Sequence, residues 1–145
     1  MIGTILKSRY KIIQQLGSGG FGETFIAEDL GIDFDPKPRC VVKRLQPAVI
    51  EPEVSRLFEQ EAKILYNLGE NHPQIPNLRA YFQEQNQFYL IQDLIIGQDL
   101  SQEITHNKKL SESYVIQLLQ DILTVFNLKI FSERSNFYGK IISKY

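Results

Sequence analysis

Leu16-Gly17-Ser18-Gly19-Gly20-Phe21-Gly22-Glu23-Thr24 is the stretch on which the fold turns. It carries the spacing G-x-G-x-x-G, a weak signal alone because three unrelated loops use it. A dinucleotide-binding loop needs a strand before it and a helix after it, so that the helix N-terminus meets a pyrophosphate. Here the following residues, Glu23-Thr24-Phe25-Ile26-Ala27, make a poor helix start and a good strand. A Walker loop ends in Gly-Lys-Ser/Thr, whereas Gly22 is followed by Glu23. Two readings remain for a strand-loop-strand: a hairpin laid over phosphates, or a hairpin turn with no ligand. Glycines suit the first because, without a Cβ, backbone N–H groups can come close to phosphate oxygens.

Outward from the loop, residues 10–16 and 23–29 read as the two strands that flank it. Residues 30–39 hold Gly31, Pro36 and Pro38 and form a loop. Residues 40–45, Cys-Val-Val-Lys-Arg-Leu, make a third strand, apolar enough to be interior. Pro47 and Pro52 bracket a connector. The period then changes: Val54, Leu57, Phe58, Ala62, Ile64, Leu65 and Leu68 recur at three- and four-residue steps, predicting an amphipathic helix over 53–68 that Gly69 and Pro73 end. Residues 77–83 and 88–96 read as a hairpin around a four-residue loop, Glu84-Gln85-Asn86-Gln87. A short helix is expected over 99–106. A long one is expected from Ser113 to about Ile130, with Ser111 as its N-cap. Residues 131–145 show no clear period. The order β-β-β-α-β-β, then α-α, is α+β: a five-stranded antiparallel sheet with one long helix, followed by two further helices.

Two charged residues bear on the loop's purpose. Lys43 sits among Val41, Val42 and Leu45, and a lysine in an interior strand is costly unless paired. Glu61 lies mid-helix, three and four residues from Phe58, Ile64 and Leu65, so it faces the sheet with them. A Lys43–Glu61 ion pair would hold the lysine ready for phosphate oxygens; the alternative is a solvated Glu61, like its neighbour Glu59.

Taken in order, these motifs resemble the protein kinase family, in particular bacterial serine/threonine kinases of the eukaryotic-like type, from Tyr10 to about Phe126. Leu16, Gly17, Ser18, Gly19, Gly20, Phe21, Gly22 and Thr24 resemble the glycine-rich loop, with Thr24 where valine is more usual and Phe21 as a lid over the phosphates. Val41-Val42-Lys43 resembles the strand with the phosphate-binding lysine, Val41 standing above the adenine. Glu61 matches the helix glutamate, and His72-Pro73-Gln74-Ile75-Pro76 the turn after that helix. The stretch Phe88-Tyr89-Leu90-Ile91-Gln92-Asp93-Leu94-Ile95-Ile96-Gly97-Gln98-Asp99-Leu100 resembles the last strand and hinge. The resemblance makes Gln92 the gatekeeper, gives Asp93 to Ile95 backbone hydrogen bonds to adenine, and places Asp99 at the ribose. It implies ATP, with magnesium in full-length relatives, and a protein substrate or regulatory partner. The implied layout is an N-terminal extension (1–9), a kinase N-lobe (10–96), the hinge exit and first C-lobe helices (97–131) and a divergent tail (132–145).

The family's chemistry also needs an H-R-D-x-x-x-x-N loop and a D-F-G motif. Neither occurs here: the histidines are His72 and His106, neither followed by Arg-Asp, and no Asp follows Asp121. The expectation is therefore an ATP-binding portion without catalytic residues or magnesium ligands, inactive alone, cut short by a frameshift or premature stop. A non-catalytic, pseudokinase-like regulatory module is the alternative. The stripe Val115, Leu118, Leu119, Ile122, Leu123, Phe126 and Ile130 should fold back, stay exposed or pair with a second copy.

Composition agrees with an ordinary globular domain. Of 145 residues, 43% are hydrophobic and 23% charged, enough core to need no disulfide or metal. A net charge of -1 argues against nucleic acid and polybasic membrane binding. No run approaches the ~20 apolar residues of a membrane span. The N-terminus lacks signal-peptide features, and Gly3 is not at the myristoylation position. A cytoplasmic location is expected. Cys40 reads as a small core residue, and two isolated histidines with one cysteine make no metal site.

Overall fold

The computed structural model describes residues 1–19, 22–45, 52–97 and 110–142. Gly20, Phe21, Asp99 and the helix expected over 99–106 lie outside the described residues. The chain divides into two units, Met1–Ile95 and Ile96–Tyr145.

The first unit is built on an antiparallel sheet. Its strands are β1 (Ile5–Leu6), β2 (Tyr10–Gly19), β3 (Gly22–Asp29), β4 (Arg39–Leu45), β5 (Leu78–Glu84) and β6 (Gln87–Asp93). They lie in the order β1-β2-β3-β4-β6-β5. The five expected strands are all present, and β1 adds a sixth at the edge, pairing Ile5 with Lys11 and Leu6 with Tyr10. β1 was invisible in the sequence for a physical reason. It is only two residues long, and its turn to β2 uses Lys7 and Ser8 at φ 49° and 53°, residue types that do not advertise a left-handed turn. The Arg9 amide donates to the Leu6 carbonyl at 2.9 Å and closes that turn.

A similar correction applies to the second hairpin. Glu84 pairs with Gln87, so the connection is the two residues Gln85 and Asn86 rather than four. Their φ values of 48° and 62° are those of a type I′ turn, whose twist matches the strands it joins. The sequence signal for that turn is Asn-Gly, and Gln-Asn hides it.

Strand alternation separates two faces. On one face Leu6, Tyr10, Ile12, Phe25, Ala27, Cys40, Val42, Tyr89 and Ile91 form the main core, closed by Met1, Ala80 and Phe82. The first nine residues belong to this packing. Lys7 lies over the Phe82 ring at 5.4 Å, so the β1 side of the sheet curls round to meet β5. On the other face lies α1 (Pro52–Leu68). Proline at its first position loses no helical hydrogen bond, and Glu53 in the first turn meets the helix dipole. Ala62 and Leu65 are buried and pack with Leu90, Phe58, Ile75, Leu78 and Tyr81. The outer face is laced by Glu53–Arg56 at 2.6 Å and Glu59–Lys63 at 2.6 Å. A 3-10 turn, Gly69–Asn71, follows. A Cβ on Gly69 would stand 2.7 Å from the Pro76 carbonyl oxygen, so only glycine lets the returning chain pass this close.

The second unit carries α2 (Glu112–Ile142), longer than the expected helix. Its start is as expected: the Ser111 hydroxyl accepts the Tyr114 amide hydrogen at 3.2 Å. Tyr114, Val115, Ile116, Leu119, Ile122, Leu123 and Phe126 are exposed. Among the described residues, no helix is long and apolar enough to cross a membrane.

Candidate functional site

The site begins with strand register. Thr24 pairs with Lys43 and Lys43 with Leu90, while Ile26 pairs with Val41 and Val41 with Gln92. Paired residues share a face, so Thr24, Ile26, Val41, Lys43, Leu90 and Gln92 form two adjacent rows on the α1 side of the sheet. Val41 is buried, and Gln92 is partly buried with its Oε1 atom shut away from solvent and meeting no donor among the described residues.

Lys43 reaches across to α1. Its Nζ donates to Glu61 Oε1 in a direct ion pair, and both side chains keep about a third of their surface open, 32% and 40%. This decides between the two readings of Glu61: it faces the sheet and is not simply solvated. Glu59, two residues earlier, turns outward to Lys63 as expected.

The glycine hairpin closes over this pair. A cavity of about 280 Å³ is lined by Gly19, Gly22, Glu23, Thr24, Lys43, Arg44, Phe58 and Glu61. The glycines divide by reason. A Cβ on Gly22 would overlap the Arg44 carbonyl of the neighbouring strand, so the fold itself demands glycine there. A Cβ on Gly17 or Gly19 would meet nothing within 4 Å among the described residues, and neither residue has positive φ. Neither packing nor backbone conformation asks for glycine at those two positions.

β2 is irregular as it enters the loop. Gln15 pairs with Phe25 and Gly17 with Thr24, which leaves Leu16 as the extra residue of a bulge, 48% exposed. Bulges re-aim a strand and are common beside functional sites. The loop's base is pinned by an ion pair between Glu23 and Arg44, both 20% exposed, with the Arg44 guanidinium 5.9 Å from the Phe25 ring centre.

At the other end of the strands, Asp93 closes β6 and residues 94–97 follow without regular structure. The Asp93 amide donates to the Asn77 carbonyl at 3.1 Å, so that N–H is not open to a ligand. Its carboxylate accepts from Asn77 Nδ2 at 2.7 Å, the Asn77 amide at 3.2 Å and Arg79 Nε at 2.7 Å. Burial pushes the Asp93 carboxyl up, but these hydrogen bonds outweigh it and hold it below the ordinary carboxylate range. Ile95 is 65% exposed.

Sequence reasoning missed one cluster behind this end. Asp29 is fully buried, and Arg9 grips it with two bonds, Nε at 2.7 Å and Nη2 at 2.9 Å. The Gly31 amide adds a third at 3.1 Å. Arg9 pulls the Asp29 carboxyl below its usual range, and Asp29 in turn raises the Arg9 guanidinium. Charges at strand ends normally read as solvated, and nothing in the spacing of Arg9, Asp29 and Arg79 brings them together. Cys40 is buried, and burial pushes its thiol up to about 11, which makes it an inert core residue as expected. Among the described residues, no group of three His, Cys, Asp or Glu comes together to hold a metal.

A glycine-rich hairpin over a lysine–glutamate pair, carried by an antiparallel sheet and one long helix, defines the small lobe of a protein kinase. Residues 10–131 match the family model described as protein kinase domain, and the chain belongs to that family. Among its relatives, serine/threonine-protein kinase C of Synechocystis sp. is 46% identical over 125 residues, 83% of this chain and 23% of that protein. Serine/threonine-protein kinase PknA of Nostoc sp. is 44% identical over 125 residues, 83% of this chain and 22% of that protein. The chain thus spans under a quarter of the length of these two relatives. The crystal structure of the PknI kinase domain from Mycobacterium tuberculosis shares the fold, with a TM-score of 0.66 at 21% identity over 84% of this chain and 48% of that one.

Proposed function

We propose that the first unit cradles ATP. The observation that carries this reading is the combination at the loop: Lys43, held by Glu61, shares a cavity with Gly19, and the missing Cβ atoms of Gly17 and Gly19 leave space that nothing among the described residues fills. Backbone amides around Gly17, Ser18, Gly19 and Gly22 supply donors to phosphate oxygens, with Gly20 and Phe21 completing the loop. Lys43 serves the α- and β-phosphates as a point charge, and Glu61 aims it. Leu16, Thr24 and Val41 offer apolar surface to the purine, Gln92 stands at its back, and Asp93 to Ile95 read its edge. Asp99 is assigned to the ribose on family resemblance. Use of ATP fits a cytoplasmic location.

We assign no phosphoryl transfer to these 145 residues by themselves, because they contain no His-Arg-Asp loop and no Asp-Phe-Gly motif. Among the described residues, no group of three His, Cys, Asp or Glu comes together to hold magnesium. In full-length relatives the reaction would be transfer from ATP to a protein hydroxyl. A regulatory, pseudokinase-like module shares the same cradle and differs in its output: nucleotide would change affinity for a protein partner.

A melting experiment tests the cradle. ATP at ten times its dissociation constant should add about 1.4 kcal/mol, a rise of roughly 4–6 °C. Glu61→Gln should keep the fold and lose most of that rise. An unshifted wild-type melt at millimolar ATP would refute the cradle. Transfer of phosphate to a generic protein substrate by this chain, abolished in Lys43→Ala, would refute the assignment of no transfer.

A further inference from the structure

The charged groups Arg9, Asp29, Arg79 and Asp93 alternate in sign along one line from the N-terminal segment to the end of β6. Arg9 holds Asp29 at 2.7 Å, Arg79 Nη1 approaches Asp29 Oδ2 at 3.9 Å, and Arg79 Nε bonds Asp93 Oδ1 at 2.7 Å. Asn77 takes the other Asp93 oxygen twice and receives the Asp93 amide hydrogen. Asp29 is the one buried charged residue among the described residues. A buried ion pair is weak evidence for stability, since well-packed apolar residues can often replace it without loss. What such a network does supply is a fixed position.

The position it fixes is distinctive. Four hydrogen bonds hold Asp93, and the backbone immediately beyond it has no regular structure, with Ile95 65% and Ile96 93% exposed. Among the described residues, the last main-chain amide anchored before this stretch is that of Asp93. We propose that Arg79 and Asn77, backed by Asp29, are positioning residues for the purine-reading edge: they fix Asp93 so that the main chain of 94–95 meets the base in one register. The proposal rests on the ATP-cradle reading. One chemical consequence follows at once. Both carboxylate oxygens of Asp93 are occupied and its amide is bonded to the Asn77 carbonyl, so this residue reads a ligand by its main-chain carbonyl and not by its acidic side chain.

The test separates the two ends of the ligand. Adenosine reports the base edge, and inorganic tripolyphosphate reports the glycine loop and Lys43. Arg79→Met keeps the aliphatic stem and removes the charge; Asn77→Ala removes one 2.7 Å bond and serves equally if Arg79→Met does not fold. Either folded variant should bind adenosine about tenfold more weakly, the scale of a lost charge-assisted hydrogen bond, with tripolyphosphate affinity within about twofold of wild type. Equal weakening of both ligands, or of neither, overturns the proposal. Backbone order parameters from NMR relaxation give a reading without nucleotide. Residues 94–96 should lose order in the variants while residues 17–19 do not, and unchanged order at 94–96 overturns the proposal. If wild type binds neither ligand, the cradle reading fails and the order parameters alone decide the positioning claim.

Discussion

At the residue scale the two kinds of glycine make opposite demands. Gly22→Ala drives a methyl group into the Arg44 carbonyl and should cost about 1–3 kcal/mol, read in a denaturant titration. Gly19→Ala meets open space, so its stability should stay within about 0.5 kcal/mol of wild type while ATP affinity falls. A Gly19→Ala chain that binds ATP as wild type does would take the phosphates away from the loop. Asp29 gives a pH signature. Its folded carboxyl is held below the ordinary value of about 3.9, so its contribution is complete above that pH and is lost as pH falls through the folded value. Asp29→Asn should lower stability by about 2–3 kcal/mol at pH 7, and its gap to wild type should narrow below about pH 4. A constant gap from pH 7 to pH 3 would show that Arg9 and Asp29 are not coupled through charge.

At the scale of elements, turns and caps carry the local lessons. The β5–β6 connection holds Gln85 and Asn86 at positive φ, where glycine is unstrained. Asn86→Gly should therefore be neutral or stabilising by up to about 1 kcal/mol in thermal melts, and a destabilised variant would contradict the type I′ geometry. α1 depends on its inner face: Leu65→Ala removes a side chain that is 8% exposed and should cost about 2–4 kcal/mol. Strands with an apolar run or clear alternation (40–45 and 88–93) were legible, as was α1 from its period and the α2 cap from Ser111. What was not legible had no local signature. β1 is two residues joined by a Lys-Ser turn, and the four-residue loop at 84–87 became two because tertiary pairing of Glu84 with Gln87 overrode a polar run.

At the scale of the whole molecule, the sequence carried the α+β class and the Lys43–Glu61 pair because both rest on periodicity: a lysine in an apolar strand and a glutamate on the inner stripe of a helix must find each other. Register then sets Thr24, Val41, Lys43, Leu90 and Gln92 on one face without further instruction. The network at Arg9, Asp29, Arg79 and Asp93 is the opposite case. Its members come from β2's approach, β3, β5 and β6, and only the curled sheet makes them neighbours. The same curl draws the first nine residues into the core through Met1 and Leu6, although they lie outside the part that matches the family model. Removing them should expose the β2 edge and lower the melting temperature of the first unit.

Titration of ATP into the 145-residue chain by calorimetry, beside its Lys43→Ala variant, tests the central claim most directly. The account requires saturable one-to-one binding, weakened at least about tenfold in the variant as one charged phosphate contact is lost. Equal affinity for ATP in the two proteins would contradict it, because the Lys43–Glu61 pair would then be a strut of the fold and not the grip of a nucleotide site.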